Sequence, residues 1–186
     1  MAELNAIGLI ECSSIGLGFW AEDAMLKAAS VDLLVARTIC SGKYIVVVGG
    51  DVASVTASVE AGAVAAEGGL IEKRVIPRVH PGVFPAISMA ADYDPADVQA
   101  LGIIETFSAS SIVEVADAAA KSANVVLLRI HLAMAIGGKG FVLISGDVAA
   151  AEAAVAVGSA VAADEGILVS RVVIPAPAPE LFRELI

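Results

Sequence analysis

The 186-residue chain has little of what several protein classes require. Its two cysteines, Cys12 and Cys40, are too few for a disulfide scaffold, and they form no CxxC pair that would hold a metal within one chain. Only 11 Lys and Arg stand against 21 Asp and Glu, a formal net charge of −10. Phosphate backbones reward the opposite balance, so no nucleic-acid partner is expected. No membrane partner is expected either. A spanning helix needs about 20 apolar residues without charge, and the nearest candidate, Val125 to Ile144, contains Arg129, His131 and Lys139. The opening residues, MAELNAIGL, offer no basic n-region, so a secretory signal is not expected and the chain reads as cytoplasmic. Catalytic patterns are missing too. The segments IGGKG and VGGD lack P-loop spacing. The histidines His80 and His131 share no motif with each other or with a carboxylate, and a loop edge and a strand surface are their expected places. No Ser-His-Asp set can be assembled, and an enzyme is not expected.

What is present is apolar and small. The chain is 58% hydrophobic but only 4% aromatic, with Ala and Val dominant. Such side chains let backbones approach closely, and the apolar excess reads as a core plus extensive interfaces. The halves also repeat. Gly8, Glu11, Asp23, Lys27, Val31, Leu33 and Leu34 recur 94 residues later as Gly102, Glu105, Asp117, Lys121, Val125, Leu127 and Leu128. The offset grows to 96 at GKY/GKG (Gly42, Gly138) and GDV (Gly50, Gly146), then to 98 at Pro77 and Pro175. Each step places an insertion in an expected loop. A period of this size is one compact domain rather than a solenoid repeat. Two domains are expected, over 1–92 and 98–186, with the polar segment Ala90 to Ala100 between them. Units this small gain from packing on a twin and on other subunits.

Periodicity orders each unit. Ala6 to Ser13 alternates as a strand; AEDAMLKAA, Ala21 to Ala29, is helical, with acids early and Lys27 late. Strands are expected at Leu33 to Ile39 and Tyr44 to Val48, around the turn Cys40-Ser41-Gly42. Asp51 is the expected N-cap of a helix over Val52 to Ala66, and Pro77 stops a strand begun at Leu70. The second unit repeats this with strands at Leu101, Val126, Phe141 and Ile167 and helices over Val113 to Ser122 and Val148 to Ala163. The expected fold is α+β: two tandem β-α-β-β-α-β, ferredoxin-like domains.

Five features in order, found in both halves, carry a resemblance: AIGLIE on the first strand, AEDAMLKAA on the first helix, the Ser-Gly-Lys turn, GGDVASV opening the second helix, and VIPRVH after the last strand. The chain resembles the bacterial microcompartment shell-domain family, in its unpermuted tandem class. The resemblance implies a flat homotrimer that mimics a hexamer of single domains. It also implies other shell proteins as partners, an encapsulated redox enzyme as a further one, and location in the microcompartment shell.

The resemblance also assigns residues. It implies that the turn after the second strand lines a central pore, with Ser41 and Gly42 from the first repeat and Ala135, Ile136, Gly137 and Gly138 from the second. It implies that Cys40 of three chains ligates one [4Fe-4S] cluster per trimer, for electron or cluster transfer across the wall. Ser41 stands where the resembled turn has proline. Lys27, Lys121, Arg78 and His80 are implied to make contacts between neighbouring tiles; IPAPAPEL in the second repeat has lost the Arg and His. Read without the resemblance, Cys40 is a free thiol and the lysines are solvated charges at helix ends. Cys12, mid-strand, reads as a buried structural thiol, and the repeated Glu11 and Glu105 as structural hydrogen-bonding groups. Two other functions stay open: a metabolite pore without metal, and a soluble ferredoxin-like module that binds a small ligand.

Overall fold

A computed structural model of the chain describes residues 4–182. The outer limits of both expected domains, and the first residues of the leader reading, lie outside them. The elements run β1 (Ala6–Cys12), α1 (Ile15–Ala28), β2 (Asp32–Ile39), β3 (Lys43–Gly50), α2 (Val52–Ala65), β4 (Leu70–Pro77), α3 (Val83–Ile87), β5 (Ala100–Thr106), α4 (Ser111–Ser122), β6 (Val126–Leu132), β7 (Gly140–Gly146), α5 (Val148–Asp164) and β8 (Leu168–Pro175). Two antiparallel sheets result, ordered β2-β3-β1-β4 and β6-β7-β5-β8. This is the expected α+β pattern, formed twice.

Each first strand is central in its sheet, and β1 is buried throughout, because Ile7, Leu9 and Ile45 point to one face of the sheet and Ala6, Ile10 and Val46 to the other. Helices α1 and α2 cover the second face, closing a core with Met25, Tyr44, Val55 and Val59. The first face packs instead toward the other domain: one continuous cluster joins Ile7, Leu9, Ile45 and Val47 to Ile112, Val113, Ile130 and Leu132. The Asp51 carboxylate accepts from the N–H groups of Ala53 and Ser54 at 3.0 Å each, and Asp147 accepts from Ala150 at 2.7 Å. The carboxylates repeated on the first strands are structural. Glu11 pairs with Lys43 at 2.7 Å and Glu105 with Lys139 at 2.8 Å, stitching β1 to β3 and β5 to the loop end that leads into β7.

Three differences from the sequence reading have physical causes. Helix α1 begins at Ile15, not Ala21. Gly16 and Gly18 depress local helix propensity, but a Cβ on Gly18 would lie 2.4 Å from Tyr44, so packing against β3 overrides it. Helix α3 was not expected. It carries Val83, Phe84, Ala86 and Ile87 into the inter-domain core. His131 is not on a strand surface. It is buried, stacked on Phe141 with centroids 4.9 Å apart.

Candidate functional site

Two turns meet where the domains join. In the first, Cys40–Gly42 forms a single tight turn, with Ser41 at φ 66° and Gly42 at φ 72°. The left-handed region is cheap for glycine and uncommon for serine. In the second, residues 133–139 curl through four left-handed positions, Ala133, Ala135, Gly137 and Gly138. The Ala133 N–H donates to the Lys139 carbonyl at 3.0 Å, closing the loop. His131 Nε2 lies 2.8 Å from the Met134 carbonyl and ties the loop to β6. Burial lowers the pKa of that imidazole, and the charges of Arg129 and Arg37 lower it further.

The loop closes on Cys40. The Cys40 N–H and thiol both donate to the Ala133 carbonyl, at 3.3 and 2.7 Å. The Cys40 pKa is lowered below the usual thiol value. The backbone N–H of Gly138 is the largest cause, and those of Gly137, Ile136 and Ala135 add to it. Successive N–H groups converging in this way form a concavity that favours negative charge. Cys12 has the opposite environment: it is fully buried, and desolvation with the nearby Glu11 charge raises its pKa. Among the described residues, no group of three or more His, Cys, Asp and Glu could hold a metal ion within one chain.

The implied tile-edge residues separate into two sets. Lys27 is exposed and pairs with Asp23 at 2.7 Å along its own helix. Lys121 instead pairs with Asp117 at 2.5 Å, and the buried Asp117 carboxylate also accepts the His80 backbone N–H at 2.7 Å. The segment after β4 thus meets α4, with Arg78 exposed beside it at φ 52°. The same left-handed step recurs after β8 at Ala176, φ 47°, without the guanidinium. Sequence reasoning missed Ala133 and Asp117, whose roles depend on contact between the halves, and put His131 on a strand surface, whereas it is buried at the start of the loop. The only sequence signal was the two-residue lengthening before Gly138.

The repeated fold matches known proteins. The BMC domain model matches twice, over residues 6–79 and 100–177. The chain is 43% identical over 182 residues to bacterial microcompartment shell protein PduT of Citrobacter freundii, covering 98% of each. It is 42% identical over 79 residues to shell protein EutM of Salmonella typhimurium, covering 41% of this chain and 82% of that one. The crystal structure of a microcompartment protein from Desulfitobacterium hafniense DCB has a TM-score of 0.93 at 49% identity, covering 97% of this chain and 99% of that chain. The chain therefore belongs to the BMC-domain family. It is a tandem-domain structural shell protein of a bacterial microcompartment, and its relatives are shell proteins rather than enzymes. Among the described residues no helix is long and apolar enough to cross a membrane.

Proposed function

We propose that three chains close into a flat ring whose central pore binds one [4Fe-4S] cluster through Cys40 of each chain. The observation that carries this is the closure of the second repeat's loop on Cys40, whose N–H and thiol both meet the Ala133 carbonyl, beside backbone N–H groups of Ala135 to Gly138 that lower the thiol's pKa. Iron–sulfur clusters are held by thiolates and tuned by hydrogen bonds to sulfur. The first repeat supplies the thiolate; the second supplies the donors that favour its charged form. One thiol per chain cannot complete a site, so three-fold symmetry supplies the other two. Ser41 and Gly42, with Ala135, Ile136, Gly137 and Gly138, line that pore. Bound there, the cluster supplies one-electron chemistry, to an encapsulated redox enzyme or across the wall.

Lys27, Lys121, Arg78 and His80 then lie on the rim, against tiles of this and other shell proteins. Arg78 occurs once per chain, so rim contacts alternate around the ring. Cys40→Ser tests the pore. Serine keeps the size but is a poor ligand for soft centres. After anaerobic purification the variant is expected to remain trimeric, lose all iron and lose the charge-transfer absorption, whereas Cys12→Ser keeps both. Full iron loading of Cys40→Ser contradicts the assignment, and iron-free parent trimers after anaerobic reconstitution leave a metabolite pore without metal as the better reading.

A further inference from the structure

The internal repeat makes each half of the chain a template for what the other half lacks. Inside the chain, the edge of sheet 1 docks on α4 and α5 through ions. Arg74 on β4 donates to Glu114 at 2.7 Å and to both oxygens of Glu165 at 3.1 Å, and its Nε pairs with Glu72 at 2.5 Å. Glu72 in turn accepts from Ser110, and Glu165 accepts from Ser111 at 3.1 Å. Beside this network lie Ala109 and Val113, 1% and 0% exposed, in the inter-domain core.

The equivalent surfaces at the chain's two free ends have lost the arginine and two of its three carboxylates, and keep only Glu67, which the offset of 98 places at the position of Glu165. The offset of 98 places Val172 at the position of Arg74 and Ser170 at that of Glu72. The offset of 94 places Trp20 at the position of Glu114, Phe19 at that of Val113 and Ile15 at that of Ala109. These residues are exposed: Ile15 41%, Phe19 58%, Trp20 66% and Val172 45%. The sheet behind Val172 is unfinished as well. Ile103, Phe141 and Ile174 are only partly buried, whereas their counterparts Leu9, Ile45 and Ile76 lie in the core. Contiguous apolar surface of this kind marks an interaction site.

We propose that the α1 face of one chain, anchored by Phe19 and Trp20, seats on the second-domain edge around Val172 of the next copy. This rests on the ring reading above. The occupant is a second copy because the intrachain junction already shows how this edge and this helix face fit. Applied again, the same relation joins second domain to first domain and is heterologous, so it closes a ring only by repetition. The junctions around the ring therefore alternate: ionic within each chain, apolar between chains. The exchange of Arg74 and Glu114 for Val172 and Trp20 also discriminates against wrong pairings. A first-domain edge offered to α1 of another copy would set the Arg74 charge against Trp20 and Phe19, with an indole in place of the Glu114 carboxylate.

Trp20 is the chain's single tryptophan, so its fluorescence reports this contact alone. In sedimentation experiments on the full chain, the trimer is expected to show blue-shifted emission that turns red on dilution, together with the fall in mass. Trp20→Glu is expected to weaken association by roughly thirtyfold or more per contact, with the circular dichroism of the monomer unchanged. Val172→Glu, on the opposite side, is expected to do the same. The double variant Trp20→Glu/Val172→Arg is expected to restore the trimer and make it dissociate as salt is raised. A trimer with the emission of a water-exposed indole, or variants that associate as tightly as the parent, overturns this contact but leaves the ring. A parent protein that is monomeric under mild conditions overturns the ring itself.

Discussion

The turn around Cys40 and the loop over 133–139 descend from the same place in a repeated unit, yet they have separated in chemistry. The first is short, strained at Ser41 and carries a thiol. The second is two residues longer, has no thiol, and meets the first through the Ala133 carbonyl, which accepts from the Cys40 N–H and thiol. Duplication within one chain permits this division, because each half can change without changing the other. A hexamer of identical domains would present six thiols or none. The first helices have separated likewise: α4 is buried among its own chain's residues, while the equivalent face of α1 is left bare.

The largest effect that would sharpen the comparison is expected at Arg74. Arg74→Met leaves Glu72, Glu114 and Glu165 close together without their cation, and is expected to lower folding stability by about 2 to 3 kcal/mol. Val172→Met, at the equivalent position, is expected to leave the stability of the isolated chain unchanged. Denaturant titration measures both. The pH dependence separates them further. Hydrogen bonding to Arg74 is the main cause holding the Glu165 pKa below the usual 4.5. Its contribution is therefore present above that value and lost as pH falls through the lower folded pKa. The Arg74→Met variant should lack this share of the acid sensitivity.

The two helix-end lysines give a smaller contrast. Lys121→Ala leaves the buried Asp117 carboxylate with the His80 N–H, and is expected to cost about 1 to 3 kcal/mol. Lys27→Ala removes an exposed pair and is expected to cost under about 0.5 kcal/mol. Both variants are expected to form fewer sheets than the parent in electron micrographs. Equal stability losses would show that the halves have not diverged there.

Much of this was legible in the sequence. The repeat, the alternation in AIGLIE and ALGIIE, and the caps at Asp51 and Asp147 are local signals, and they specify the β-α-β-β-α-β order. The start of α1 was hidden because Gly16 and Gly18 argue against a helix until Tyr44 is seen to need the space. Helix α3 sits among prolines that read as loop, and only its burial between the domains explains it. The thiol at Cys40 was visible; its N–H donors were not, since they lie more than 90 residues away and follow from loop curvature, not residue type. The Arg74 network was invisible for the same reason.

The smallest perturbation is chemical. In reduced, iron-free protein, iodoacetamide is expected to modify Cys40 in the native state and at lower pH than an ordinary thiol, while Cys12 stays protected until unfolding. Peptide mapping across pH reads both. Equal protection of the two thiols would break the contrast between the pore turn and the core strand.

The central claim is that three copies of Cys40 share one cluster, and the native mass of anaerobically reconstituted parent protein tests it most directly. The account predicts a trimer carrying a single four-iron cluster, about 1.3 iron atoms per chain. A cluster on every chain, or intact trimers that take up no iron, would contradict it.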